Sequence, residues 1–496
     1  MSVALAVDVG TQSVKAAVLG HDGLAPIATA PLAVSAPARG AVEQDPRWFT
    51  DALAVAVPAA LDLAGVAGRD VARISVSSQL DAVVLHDRDG RTFGPALIWM
   101  DRRAVREAQA FARAADPDRV FERTGLNVDA SHAAPKVMWL RAHRPDDMRA
   151  ASFVGSLASF LTAWLTGEVV HDLAQASSTL LMDVRTGSWD TGLAELAGLE
   201  LERLPGIRPA DTAAGTLRAP VAEVLGLTTR CEVLAGTGDD HASHLGGGGM
   251  APGAVVDVVG TAEPVGARVE GAILDPDRLL ETHRHAIRDQ YLVQHPGFAS
   301  GGAIRWLAGL LGVGQARVLE LCEQSPPGAR GVRFVPSLSG ALVPRWNPEV
   351  DAVFAGLSFA TGPADLARAV VEGVCFALRD VVDRMRELGV GHHVRVVGGG
   401  SRSRGWLAMK SAVLDAPLAV ARVPDAAVVG AAMLAGMAGG EFGSVEEASD
   451  RLVGVVEHAV EPDPALVACY RDAHADYRRL FESAEAYGTP RRGERA

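Results

Sequence analysis

An α/β chain of two related lobes is the fold this sequence predicts, and three observations predict it. A short apolar segment ends in a Gly-Thr turn twice, as ALAVDVGT at 4–11 and as AVVDVVGT at 254–261, half a chain apart, the spacing of a duplicated domain. Short strand-like apolar runs alternate with amphipathic helical runs along the chain. The length of 496 residues also exceeds what one hydrophobic core organises, at roughly 100–200 residues per domain.

The elements follow in order. VALAVDV at 3–9 and SVKAAVLGHDG at 13–23 predict a β-hairpin joined by Gly-Thr-Gln, and Asp22-Gly23 turns the chain again. DALAVAVPAALDLA, after Trp48, predicts a helix, and ARISVSS a buried strand leading to Gln79, Leu80 and Asp81. AVVLHDRDGRTFGPALIWMDRR continues as strand, Asp-Gly turn and strand. A helix-rich middle includes SLASFLTAWLTG, a core helix too short to span a bilayer. In the second half DLARAVVEGVCFALRDVVDRMREL carries the longest clean 3.6-residue period and predicts a central helix. VRVVGGG at 394–400 reads as a buried strand entering a Gly-rich turn, followed by the helix SRGWLAMKSAVLD, a final Ala-rich helix over 426–438 and a frayed polar tail, TPRRGERA.

Composition narrows the partners. With 48% apolar and 22% charged residues the chain can bury substantial cores, and a net charge of −13 argues against a nucleic-acid or anionic-membrane surface, leaving a small molecule as the expected partner. Cys231, Cys322, Cys375 and Cys469 lie far apart without a Cys-x-x-Cys pair, so reduced thiols are expected rather than a disulfide framework or zinc knuckle. MSVALAVDVG lacks a basic leader segment and meets Asp8 early, and no 18-residue uncharged apolar span occurs, so the cytoplasm is the expected location.

The chemistry concentrates at Gly-rich strand ends. There is no G-x-x-x-x-G-K-[ST] motif, so phosphates must be held otherwise. In Asp8-Val9-Gly10-Thr11-Gln12-Ser13-Val14-Lys15, glycine lets the backbone approach closely, exposed amides and the hydroxyls can donate to phosphate oxygens, Asp8 can anchor hydrated Mg²⁺, and Lys15 adds a compact positive charge. Gly260-Thr261 supplies a second such turn and Gly398-Gly399-Gly400-Ser401 a third, where a base and ribose can lie against bare backbone. Three strand-ending turns over two lobes are what a nucleotide clamped in a cleft requires. His241, His244, His283 and His285 lack the carboxylate or cysteine spacing of a zinc site, and the glycines at 246–249 read as a flexible lobe connection.

Taken together, DVGTQSVK, IWMDRRA, GTGDDHA at 236–242, DVVGTAEP, FAGLSFATGPADLARAVVEGVCFALRD and VVGGGSRSRGWLAMKSAVLDAPL resemble the FGGY family of carbohydrate kinases over nearly the whole chain, with the xylulokinase-like members most similar. The resemblance implies two ribonuclease-H-like, actin-like lobes around a central cleft: 1–246 with the sugar site, first phosphate loop and catalytic carboxylate, and 247–496 with the second phosphate loop and adenosine site, Gly301 included. It implies Mg²⁺ and ATP, with Asp239 as general base and Asp240 in the substrate pocket. Gln79 is followed in xylulokinase-like members by Met-His and in glycerol kinases by Arg-Glu; here the pair is Leu80-Asp81, so Asp81 is expected to accept from sugar hydroxyls while Leu80 removes a charged contact. Asp101, followed by Arg102 and Arg103, is expected either to support the same pocket or to form a strand-end salt bridge, and Lys136 to lie near the cleft or at an exposed helix start. The implied reaction is phosphorylation of a small linear sugar or polyol, a ketopentose such as xylulose first, with erythritol or erythrulose, glycerol and ribulose as alternatives, in a possible homodimer. Rival readings are a nucleotide-switched binding protein on the actin-like framework and a dinucleotide-dependent dehydrogenase, the latter lacking its G-x-G-x-x-G spacing.

Overall fold

Small side chains on one face of a buried strand and large ones on the other decide how this molecule is layered. The computed structural model describes residues 3–421, 423, 425–453 and 459–488. β1 (Val3–Val9) pairs antiparallel with β2 (Ser13–Gly20) across the first Gly-Thr turn. Leu5, Val7 and Val9 face α1 (Pro46–Ala64), whereas Ala4 and Ala6 belong to a different core. α1 is opened by the Asp45 carboxylate accepting from Arg47 N, with proline at its first position, and closed by Gly65 at φ 64. β3 (Val71–Ser78) lies parallel to β1, placing Ser78 opposite Val9.

The middle of the first half is helical, as expected. It includes α2 (Ala133–His143) and α3 (Leu157–Thr166), the latter capped by the Ser156 hydroxyl and buried along nearly its whole length. β4 (Glu232–Leu234) and β5 (Thr237–Gly238) return to the sheet parallel to β3, with Gly238 opposite Ser78. Among the described residues eight strands make up this first sheet. α4 (Asp239–Gly246) starts directly from β5.

The second half repeats the plan. β6 (Ala254–Val258) pairs antiparallel with β7 (Val265–Val269), and β8 (Glu281–Arg284) with β9 (Tyr291–His295) extends that edge. After α5 (Gly301–Leu311), the central helix α6 (Pro363–Glu387) is started by proline and by the Asp365 carboxylate accepting from Gly362 N. β10 (His393–Val397) then lies parallel to β6, Val397 opposite Val258, and α7 (Arg404–Leu414) leads to β11 (Leu418–Val420) in a sheet of seven strands among the described residues. The β1–β2–β3 and β6–β7–β10 arrangements match, so the repeated Gly-Thr segment marks a repeated topology.

α8 (Ala426–Gly439) runs one residue beyond the expected 426–438 and is buried on every side from Val428 to Ala435. It sits in a core shared by both sheets, which includes Ala4, Ala6 and Ala17 of the first and Val256 and Val397 of the second. Its approach to α4 requires glycine: a Cβ on Gly430 would stand 1.9 Å from Ala242 O, and one on Gly246 2.0 Å from Ala426 O. The expectation of a loose connection at 246–249 is thereby corrected. Gly246 to Gly249 are buried, and a Cβ on Gly249 would stand 2.2 Å from the His244 ring, so these glycines serve close packing. Nor is α8 the final helix, because Val445–Leu452 and the long α9 (Pro464–Gly488) follow it; the tail TPRRGERA lies outside the described residues.

Candidate active site

The carboxyl ends of adjacent parallel strands are where an α/β sheet exposes backbone and gathers side chains from distant sequence. β1, β3 and β5 end side by side, so the loops carrying Asp8 to Thr11, Gln79 to Asp81, and Asp239 with Asp240 share one edge of the first sheet. In the second sheet β6 and β10 also end together, and Gly400 N donates to Val259 O at 3.2 Å, laying the Gly398–Gly400 turn against the Gly260-Thr261 turn.

Asp8 is buried, accepts from Ser77 Oγ at 2.8 Å and lies 3.6 Å from Lys15 Nζ. Burial pushes its carboxyl up to about 7; Lys15 opposes this, while Asp425 and Asp239 add to it. Lys15 also donates to Asp425 Oδ2 at 2.6 Å, an ion pair that ties β2 to the residue capping α8. Gly10 N donates to Ser13 O at 3.1 Å, closing the hairpin turn and leaving Gln12 exposed at its tip. Thr11 Oγ1 receives Trp99 Nε1 at 2.9 Å and donates to Gln79 Oε1 at 3.4 Å.

Asp239 and Asp240 are half-buried at the start of α4. Burial first, then Asp240 for Asp239 and Asp81 for Asp240, raise both carboxyls to about 7, while the amides of Asp240 and Leu80 stabilise the Asp239 carboxylate. These four aspartates, Asp8, Asp81, Asp239 and Asp240, thus form one electrostatic cluster at the strand ends. Leu80 packs against Gly238, where a Cβ would stand 2.4 Å from Leu80 Cδ2. Asp81 adopts φ 56, and its carbonyl accepts from Lys136 Nζ at 2.7 Å.

Two expected pocket residues sit behind the site. Gln79 is fully buried, its amide bonded to Gln44 Oε1 at 2.8 Å and to Thr11, so it shapes the first loop. Asp101 is also fully buried and accepts from Val42 N at 2.7 Å and from Arg103 Nε at 2.9 Å; the salt-bridge alternative is the one realised. Lys136 is buried rather than exposed, and burial lowers it to about 8.

In the second half, Gly260 and Thr261 are exposed, and Gly301 N donates to Gly260 O at 3.1 Å. A Cβ on Gly301 would stand 2.5 Å from Gly260 O, so the helix α5 can meet this turn only through glycine. Gly398 has φ 89, Gly398 and Gly399 are exposed, and Ser401 Oγ donates to Gly398 O at 2.7 Å. Beside this turn a cavity of about 280 Å³ is lined by Glu323, Arg368, Ser403, Gly405, Trp406 and Tyr470. Under the loop, buried Lys410 bonds Asp257 at 2.6 Å and Glu263 at 2.8 Å, and Glu263 accepts from Ser300 Oγ.

Sequence reading missed Trp99, Gln44, Ser77, Asp425, Lys410 and Glu263. Asp425 followed by an Ala-rich run was a legible helix cap; the others are brought in by pairings with no local signal. Among the described residues no group of three or more His, Cys, Asp or Glu side chains is placed to hold a metal ion, and no helix is long and apolar enough to cross a membrane.

Residues 3–246 match the N-terminal domain of the FGGY family of carbohydrate kinases and residues 258–439 its C-terminal domain. The chain is 29% identical to the xylulose kinase of Escherichia coli (strain K12), over 96% of this chain and 98% of that one. It is 31% identical to the glycerol kinase of Aromatoleum aromaticum, over 98% and 99% of the two chains. The crystal structure of a xyloylose kinase from Brucella ovis superposes with a TM-score of 0.88 at 28% identity, covering 98% of this chain and 100% of that one. Paired sheets with Gly-rich turns at their carboxyl edges are therefore this chain's version of the actin-like ATPase fold, and the chain belongs to the FGGY family of carbohydrate kinases, ATP-using phosphotransferases with an alcohol group as acceptor.

Proposed function

We propose that this chain transfers the γ-phosphoryl group of ATP to a hydroxyl of a small, neutral, linear ketose or polyol, a ketopentose such as xylulose first, with Asp239 as general base. The observation that carries this reading is the placement of Asp239: half-buried just past the end of β5, held by backbone amides and within electrostatic reach of Asp8. In the step, the acceptor oxygen forms a bond to the γ-phosphorus as the bond to the β,γ-bridging oxygen breaks, and the hydroxyl proton passes to the Asp239 carboxylate. Asp81 and Asp240 accept from further hydroxyls, and three carboxylates around the acceptor disfavour a sugar acid by like-charge repulsion.

Residues 1–246 supply the acceptor site and first phosphate loop, and 247–496 the second phosphate loop and adenosine site. Gly10 to Ser13 and Gly260-Thr261 donate to phosphate oxygens, Gly301 lets α5 close on the latter, and Gly398 to Ser401 with the adjoining cavity receive the nucleoside. The residues present fit Mg²⁺ in the manner usual for that ion, one carboxylate with water and phosphates completing the shell, because Asp8 lies among an excess of acidic groups opposed by Lys15. Asp8 would hold the ion, which when bound neutralises charge on the phosphate oxygens.

A coupled ADP-release assay across C3 to C6 ketoses, polyols and a sugar acid tests the reading. The expected result is ADP release that depends on a neutral acceptor, with ketopentoses ahead of glycerol. Slow ATP hydrolysis indifferent to every acceptor would instead favour a nucleotide-switched binding protein.

A further inference from the structure

Asp81 is a pocket carboxylate held through both its backbone and its side chain. Its backbone sits at φ 56, a left-handed conformation that aspartate adopts more readily than most residues and that its surroundings hold in place. Lys136 Nζ grips its carbonyl at 2.7 Å, and His132 Nδ1 lies 3.3 Å from its Oδ1. The other ring nitrogen of His132 lies 3.8 Å from Glu281 Oε1.

Glu281 comes from β8, at the edge of the second sheet, and is stitched to the segment preceding α2. Asn127 N donates to Glu281 Oε1 at 3.2 Å, Asn127 Nδ2 to Arg278 O at 2.9 Å, and Thr282 N to Gly125 O at 3.0 Å. A Cβ on Gly125 would stand 2.3 Å from Thr282 O, so the two segments meet backbone to backbone. The side chains of His132 and Glu281 are 5% and 1% exposed, against 17% for Asp81, so the row runs from the pocket wall into the interior. Burial opposes a charge on His132, but Asp81 and then Glu281 outweigh it and hold the imidazole well above its ordinary value. Glu281 in turn sits at about 2, against the effect of burial, because His132 and His283 face it.

We infer that His132 is a specificity-determining positioning residue, which fixes the Asp81 carboxylate toward the hydroxyls of the acceptor and is itself fixed by Glu281 from the second half of the chain. This rests on the proposed acceptor site. His132 Nδ1 lies within hydrogen-bond distance of Asp81 Oδ1 and Nε2 within ion-pair distance of Glu281, so His132 acts through Asp81 and leaves its Oδ2 to accept from acceptor hydroxyls. A fixed acceptor discriminates among hydroxyl patterns more strongly than a rotating one.

The test uses His132→Phe, His132→Gln and Glu281→Gln with whichever of xylulose, ribulose, erythrulose, erythritol and glycerol the wild type phosphorylates best. His132→Phe is expected to raise KM for that acceptor about tenfold while KM for ATP and kcat stay within about twofold. His132→Gln, which keeps one donor, recovers part of the loss, and Glu281→Gln raises the acceptor KM about threefold. In an Asp81→Ala background His132→Phe adds no further loss, a result that a merely structural histidine would not give. Acceptor KM within twofold of wild type in both His132→Phe and Glu281→Gln overturns the inference, as does a parallel rise in KM for ATP. Should His132→Phe not fold, the glutamine variants decide by the same criteria. An active wild type with unaltered variants removes this inference alone; a wild type inactive on all five acceptors removes the proposed function and this inference with it.

Discussion

Burial, with Asp240 beside it, lifts the Asp239 carboxyl to about 7, so a base made this way loses its proton across the neutral range. Acceptor-dependent kcat/KM is therefore expected to rise with pH through about 7 and then level off. The same shift costs stability. The folded protein holds this proton up to about pH 7, whereas the unfolded chain releases it near the ordinary 3.8, so between these values the folded state binds more protons and loses stability as pH rises. Asp239→Asn removes that loss. Its unliganded melting temperature is expected to exceed that of the wild type by about 1–3 °C at pH 7.5, with the difference closing near pH 4; equal values at both pH settings would contradict the burial of this charge. Asp8 was legible in the sequence as an acidic residue just before a Gly-Thr turn, and Asp239 through its place in GTGDDHA, one of the segments that carry the family resemblance. Asp425, the partner of Lys15, lies 410 residues along the chain from it, and no local pattern joins them. The inward turn of Asp101 was equally hidden, since it depends on Arg103 and Val42 N closing on it.

At the scale of elements, the second Gly-Thr turn stands on a buried ion cluster. Lys410 on α7 serves both Asp257 on β6 and Glu263 just past the turn, and burial with Glu263 nearby raises Asp257 to about 8. Lys410→Met leaves two acids buried without their cation, and the expected loss of stability is about 3 kcal/mol, measured by urea unfolding. A loss below about 1 kcal/mol would mean that the acids do not depend on this cation. Elements with a strong local period, such as β1, β2, α6 and α7, were readable from sequence. α9 carries no clear period because its polar face dominates its composition, and Val467, Tyr470, Ala473, Tyr477, Phe481 and Ala484, buried in the second core, reveal its packing. The glycines at 246–249 look like a hinge in sequence because glycine permits both freedom and contact, and only the neighbouring α8 and His244 distinguish the two.

Across the whole molecule, the halves defined by sequence are not the units that pack. α8, from the second half, lies on Ala4, Ala6 and Ala17 of the first sheet, and the far end of α4 meets Val256 and Val397 of the second. Lys15–Asp425 and Arg73–Glu441 join the halves as well. The repeated strand–turn segment made the two-lobed plan legible; the shared helices were not, because small residues facing small residues leave no periodic signature that names their partner. The account as a whole depends on Asp239 taking a proton from an acceptor alcohol at the strand ends of the first sheet. The most direct test is acceptor-dependent ADP release by Asp239→Ala beside the wild type, with both proteins shown to be folded by circular dichroism. The account predicts a loss of at least about 1,000-fold in kcat with the fold intact, and a folded variant that keeps most of its turnover would contradict it.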